Sequence, residues 1–226
     1  MKKIIAVIIF CFAMGNIIAQ DSTGVQKSWG KNLTLYAGMN YSIITLESKP
    51  YFIDSTRVGY SHAKNAAGAS AGLAYYIKLG KNFMLRPGVE GNFTQSRIEY
   101  DTKVTHKESS GVFPLTVETP VALIFSRNVS GGFSADRRIW PEVQLAVRPV
   151  FPMKFFNSTR PAMETFNFNI DIGVGYPIQL KNAIMRTELI FSYGLLNIIG
   201  TDETDVKTSS ISYLGRSFAG LRLYFN

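Results

Sequence analysis

Phe166-Asn167-Phe168-Asn169-Ile170-Asp171-Ile172-Gly173-Val174-Gly175-Tyr176 alternates without a break for eleven residues, apolar at even positions and small or polar at odd ones. Period-2 alternation sends the two chemistries to opposite faces of an extended chain, and no helical period fits it. One face of this strand is hydrocarbon. The other carries Asp171 among amides and glycines, an environment in which an ionisable group needs a partner.

The pattern recurs along the chain. Leu33, Leu35, Ala37, Met39, Tyr41 and Ile43 oppose Thr34, Tyr36, Gly38, Asn40 and Ser42. Ala69 to Ile77 and Phe83 to Phe93 follow the same rule, and Leu115, Val117, Val121, Leu123 and Phe125 oppose Thr116, Glu118, Ala122 and Ser126. Val143 to Phe151, Met185 to Tyr193, and Tyr213 to Phe225 complete the set. About eight strands result, each near the 9–11 residues that a tilted strand needs to cross a bilayer. Long polar connections are expected at Thr45–Ala66, Ser96–Phe113 and Asn197–Ser209, and tight ones at Gly80–Asn82 and Gln179–Asn182. Arg127–Trp140 falls where a tight turn belongs yet is long, with Gly131-Gly132 and Asp136-Arg137-Arg138, and it leaves the register there open.

Composition agrees. The 226 residues are 46% hydrophobic, 13% aromatic and only 18% charged, below the roughly 25% charge of an average soluble domain. Mean hydropathy is +0.06, and the apolar residues are spread rather than gathered into runs of about 20. Disorder and a polytopic helical membrane protein are thereby excluded. Alternation alone permits a lipocalin-like soluble barrel, apolar inside, or a membrane barrel, apolar outside. The polar face favours the second, because it mixes Arg86, Glu90, Glu118, Glu142, Arg148, Asp171, Arg186, Glu188, Arg216 and Arg222 instead of a Lys/Glu coat. These ten are expected to form a lumen ion-pair network. Aromatic girdles are expected from Trp29, Tyr76, Phe83, Phe125, Trp140 and Tyr176 at one rim, and from Tyr41, Phe93, Phe155, Phe156, Tyr193 and Tyr213 at the other.

The start of the chain is different. Lys2-Lys3, an apolar run Ile4–Met14 and an exit to Ala19 have the layout of a secretory signal peptide. Residues 1–19 are assigned to it and 20–226 to one barrel domain, with strands from about residue 31. The single cysteine, Cys11, lies in the signal, so no disulfide or cysteine site is expected in the mature chain. Removing Lys2 and Lys3 lowers the formal charge from +8 to +6, a surplus expected to divide between lumen and loops. The basic residues do not cluster as a nucleic-acid footprint requires.

Glu118-Thr119-Pro120-Val121-Ala122-Leu123, Gly173-Val174-Gly175-Tyr176-Pro177 and the Gly220–Phe225 ending resemble the PorT-like outer-membrane β-barrel family across the whole mature span. The ending, with Leu221, Leu223 and Phe225, also resembles the strand signal read by the outer-membrane assembly machinery. The resemblance implies an eight-stranded barrel and, for some members, a part in type IX secretion.

Motifs with chemistry are weak. Gly68-Ala69-Ser70-Ala71-Gly72 has the spacing of a nucleophile elbow, with Asp101 and His106 following in hydrolase order, but that device needs a helix after the serine. Gly173-x-Gly175 lacks a third glycine and a helix. His62 and His106 fall in expected loops without companion ligands, and Asp202-Glu203-x-Asp205 lacks the spacing of a calcium loop.

The sequence therefore predicts an all-β protein, an eight-stranded antiparallel up-and-down transmembrane β-barrel in the cell outer membrane. It is expected to be neither a general porin nor an enzyme, to need no cofactor or metal, and to act through external loops in binding or scaffolding. Expected partners are outer-membrane lipid, the assembly machinery and a surface or secretion complex, without nucleic acid. The alternatives are a lipid- or protein-modifying outer-membrane enzyme and a soluble periplasmic lipocalin-like binder.

Overall fold

Eight antiparallel strands follow from the alternation, and a computed structural model joins them into a closed barrel. It describes residues 32–52, 58–80, 82–101, 107–112, 114–126, 141–153, 166–179, 184–199 and 210–225. The barrel strands are β1 (Leu33–Ser48), β2 (Ala66–Tyr75), β3 (Phe83–Thr94), β4 (Leu115–Glu118 continued by Val121–Ser126), β5 (Glu142–Pro152), β6 (Asn167–Gln179), β7 (Ile184–Gly194) and β8 (Ile211–Phe225). Each pairs with its neighbour in sequence, and β1 closes on β8 from Leu35↔Phe225 to Ser48↔Ile211. Closure leaves no sheet edge within the wall, which a bilayer demands because it offers backbone groups no water.

The polarity is inverted relative to a soluble protein. Outward residues are apolar and open, such as Met39 at 72%, Leu189 at 65% and Leu35 at 64% exposure, whereas Arg148, Glu118 and Asp171 inside are wholly buried. Lipid provides the apolar environment that the outer face needs. The lipocalin-like alternative, apolar within, is thereby overturned.

The start of β1 and the end of β8 meet at one end, here the terminal end, with the connections β2–β3, β4–β5 and β6–β7; the opposite end is the loop end. At the loop end the chain is more ordered than the sequence suggests. Thr45–Ala66 is not simply a connection. β1 runs on to Ser48, Tyr51–Phe52 pairs with Val58–Gly59, and Ser61–Lys64 forms a further strand. Ser96–Phe113 likewise contains Arg97–Asp101 and Lys107–Gly111, which join Ser61–Lys64 in a three-stranded sheet. The physical reason is a second core. Ile98, Tyr100 and Val112 bury against Ile44, Ile198, Ile211 and Leu214, forming an apolar cap.

Two other expectations are settled by position. Tyr76 does not belong to a girdle, because it continues the inward face of β2 after Ala74 and fills the lumen, 5% exposed. The outward aromatics Phe83 and Phe125 pack together at the terminal end, ring centroids 5.3 Å apart, with Tyr176 exposed at the same end. Arg127–Trp140 lies outside the described residues, as do Trp29, Phe155, Phe156 and the signal segment. The register beside Arg127–Trp140 is nonetheless continuous, from Val121↔Val147 to Ser126↔Glu142.

Candidate functional site: the charged lumen

An eight-stranded barrel has room inside only for side chains, so every inward residue must fit against those from the opposite wall. The even-numbered faces of β1–β5, β7 and β8 and the odd-numbered face of β6 supply them. All ten charged residues singled out from the sequence lie here, buried. Five are arginines and five are acids, so the lumen is neutral as a whole.

In the middle tier Arg148 of β5 is the hub. Its Nη2 lies 2.6 Å from Asp171 of β6, and its Nη1 lies 2.8 Å from Glu90 of β3 and 2.9 Å from Glu118 of β4. Arg222 of β8 reaches across to Glu90 at 2.6 Å and lies 3.9 Å from Glu188 of β7. Tyr36 of β1 donates to Glu90 at 3.0 Å, and Thr116 and Asn92 donate to Glu118 at 2.7 and 3.1 Å. The ring of Phe218 lies 5.3 Å from the Arg148 guanidinium.

The lower tier, towards the terminal end, holds Arg86 against Glu188 at 2.6 Å and Arg186 against Glu142 at 2.9 Å. Gln144 accepts from Arg86 and donates to Glu188, closing a triangle between β3, β5 and β7. Arg86 also donates to the Tyr76 hydroxyl at 3.2 Å and lies over the Tyr224 ring at 4.4 Å. Two charges taken out of water need close geometry and further hydrogen bonds to offset their desolvation, and these carboxylates have both.

The upper tier is polar but thinly charged. Asn40 donates to Asn92 at 3.1 Å, and Asn169 to Ser192 at 2.9 Å. Arg216 differs from the sequence expectation here. It is buried in the lumen, but its hydrogen bond runs from Nε to the Ser42 hydroxyl at 3.4 Å, and its Nη2 has no hydrogen-bond partner among the described residues. It supplies the fourth positive charge that Arg148, Arg222 and Arg86 lack against Glu90, Glu118, Asp171 and Glu188. The apolar cap begins immediately above it, where Ile44 pairs with Arg216.

Glycine makes room for the large members. A Cβ on Gly72 would lie 2.7 Å from the Tyr36 ring, one on Gly38 2.9 Å from Arg222, and one on Gly173 2.6 Å from Gln144. The gap left beside Arg86, Arg148, Asp171 and Arg222 is about 10 Å³, space for about one water. The residues that sequence reasoning left out of the network are neutral: Tyr36, Asn92, Gln144, Phe218 and Tyr224. Their signal was position on the inward face, not charge.

The weaker motifs do not assemble. Gly68–Gly72 lies inside the continuous strand β2, with Ser70 buried in the lumen, so no elbow forms. His62 sits on the loop-end sheet opposite Glu99. Asp101 pairs with Lys107 through the backbone, and His106, Asp202, Glu203 and Asp205 lie outside the described residues. Among the described residues no three metal-ligating side chains converge.

The sequence matches no known family in a scan of family descriptions and no curated protein. Among solved structures the chain is similar to the crystal structure of the outer membrane protein OprG from Pseudomonas aeruginosa, with TM-score 0.41 and 10% identity, covering 86% of this chain and 92% of that one. It is also similar to the solid-state NMR structure of the outer membrane protein AlkL in DMPC lipid bilayers, with TM-score 0.35 and 14% identity, covering 92% of this chain and 94% of that one. The assignment as a transmembrane barrel rests on the closed register and the inverted polarity described above.

Proposed function

We propose that this chain is an outer-membrane barrel of PorT-like type, closed to solutes, that works as a binding or scaffold protein through its external loops. The observation that carries the reading is the filled lumen, with ion pairs in the lower and middle tiers and the apolar cap above them. A barrel blocked at successive levels has no path for a solute, and function moves to the surfaces outside the lipid. The loop end supports this, because its connections build a sheet with its own core instead of a turn. The PorT-like likeness, and with it a part in a surface or secretion complex, rests on the Glu118-x-Pro120 strand and the chain ending. We assign the protein no catalysis.

Orientation and loop role are tested together. Once Cys11 leaves with the signal, His62→Cys and Lys78→Cys each give a mature chain with one cysteine. A membrane-impermeant maleimide is expected to label position 62 on intact cells and position 78 only after the outer membrane is opened. A photocrosslinker at position 62 then captures the partner. Labelling of position 78 on intact cells would reverse the topology and refute the loop assignment. Abolition of a lipid- or protein-modifying activity by His106→Ala would replace the scaffold reading with the enzymatic one.

A further inference from the structure

We infer that the outward face of β2 and β3 at the loop end binds a phosphate-bearing lipid, its phosphate between Lys64 and Arg97 and an acyl chain along the wall below; this rests on the transmembrane reading above. The alternation of β3 carries on past its last barrel residue. Ser96, Ile98 and Tyr100 are buried on the inward side, while Arg97 and Glu99 continue the outward side of Phe93. Lys64 pairs directly with Arg97. Between Gly68↔Thr94 and Lys64↔Arg97 the register slips by one residue, which turns the even-numbered Lys64 to the side on which Ala67, Ala69 and Ala71 lie. Both cations are about half exposed, and Glu99 lies between them, its Oε1 3.3 Å from Lys64 Nζ and 3.5 Å from Arg97 Nε. Two cations thus share one acid, and one positive charge is left over. Exposed pairs of this kind contribute little to stability. A phosphate offers each cation an oxygen of its own and gives the planar Arg97 fork a matching partner.

The position of the pair assigns the phosphate to a lipid. Arg97 lies four residues beyond Phe93, which is exposed on the lipid-facing wall. At ~3.4 Å per residue and a strand tilt of about 40°, that places it about 10 Å past the aromatic level. Cations at that height meet headgroup phosphates. Below Lys64, β2 presents nothing larger than a methyl group at the outward positions Ala67, Ala69 and Ala71. Met39 and Tyr41 of β1 and Phe93 of β3 flank this stretch, paired with Ala69, Ala67 and Ala69 in turn. At its lower end Ala37, Ala71 and Gly91 lie side by side, and a Cβ on Gly91 would meet only the Ala71 carbonyl, at 3.9 Å. The result is a shallow channel, ~14 Å long from Ala67 to Ala71, open at the end where the cations stand. Soluble phosphate or an acidic peptide would use the cations but not the channel, and a second barrel would use the channel but not the cations. Charge selects the headgroup and shape selects the chain.

The test uses the mature full-length chain refolded in detergent micelles. Binding of phosphatidic acid, of diacylglycerol with the same chains and of glycerol phosphate is measured by native mass spectrometry. Lys64→Gln combined with Arg97→Gln is expected to weaken phosphatidic acid about fivefold, the effect of one net basic contact, and to leave diacylglycerol unchanged. Glu99→Gln frees both cations and should tighten phosphatidic acid about fivefold, a gain that a misfolded variant could not show. Ala71→Leu fills the channel below the charges and should weaken phosphatidic acid about fourfold, as if roughly one methylene were left unburied. Unchanged affinity for phosphatidic acid in the Lys64 and Arg97 double variant overturns the inference, and so does a Glu99→Gln chain that binds it no more tightly. Glycerol phosphate bound as tightly as phosphatidic acid would make this a site for free anions and overturns the lipid too. Affinity unaffected by Ala71→Leu removes the acyl chain from the wall and overturns the inference as stated. Gel migration that shifts on boiling is read on every sample. Loss of that shift in the wild type would refute the barrel itself, whereas shifted protein with no preference for phosphatidic acid over diacylglycerol refutes only the lipid site.

Discussion

Arg148 has three carboxylates within 3 Å and is itself wholly buried. Removing it would leave Glu90 with Arg222 and strip Glu118 and Asp171 of their close cation. Breaking a buried pair from one side costs about 3–5 kcal/mol, because the remaining charge is left uncompensated. Arg148→Met is therefore expected to lower barrel stability by about that amount, read as the urea midpoint at which boiling no longer changes gel migration. Arg148→Lys keeps the charge but loses the planar fork that reaches three acids at once, so it should fall between the two. A midpoint unchanged in Arg148→Met would mean that the cluster is solvated and the lumen open. At this scale the charged members were legible in the sequence, because an ionisable residue on the polar face of a strand has few other roles. The aromatics were not. Tyr76 and Phe218 have bulk that reads equally well as girdle or filling, and only the inward phase of their strands decides it.

The strands themselves were legible wherever alternation ran unbroken, as in β6. β4 was harder, since Thr119-Pro120 interrupts it. Pro120 lies close to Pro87 of β3, which pairs with Val121, and to Pro149 of β5, whose carbonyl accepts from Thr119 at 3.0 Å. Three neighbouring strands thus each lack an N–H at nearly one level. Arg148, Glu90 and Glu118 sit one to three residues from these prolines, and their ion pairs tie the same three strands from inside. The fit of β2 to the lumen depends on glycine in a way the sequence does not specify. A Cβ on Gly72 would meet the Val89 carbonyl and the Tyr36 ring, whereas one on Gly91 would find only the Ala71 carbonyl, at 3.9 Å. Gly72→Ala is therefore expected to lower stability by about 1–3 kcal/mol through overpacking, read as a lower urea midpoint. Gly91→Ala, on the outward face, should leave it unchanged. Equal effects of the two would show that β2 tolerates bulk on its inner face.

For the whole molecule, a net charge of +6 in the mature chain suggested a surplus shared by lumen and loops. Within the described lumen five arginines face five acids, because a low-dielectric interior tolerates charge only in pairs, so the surplus lies outside it. Sequence alone gives the total but not its partition, which needs the connectivity of eight strands. The same stacking of tiers makes a statement about transport. The apolar cap and the ion-pair tiers come from different residues, Ile98 and Val112 on one side and Arg148 and Arg86 on the other, so they block the lumen independently. The wild-type barrel in a planar bilayer is expected to give no stepwise ion conductance. Replacing residues 97–111 with a short turn removes Ile98 and Tyr100 from the cap but leaves Arg148, Glu90, Glu118 and Asp171 in place. That variant should still change migration on boiling and still fail to conduct, since the middle tier fills the bore by itself. Conductance steps in the loop variant alone would show that the cap is the only seal. Steps in the wild type would mean that the lumen is a channel, and the closed-barrel reading would be wrong.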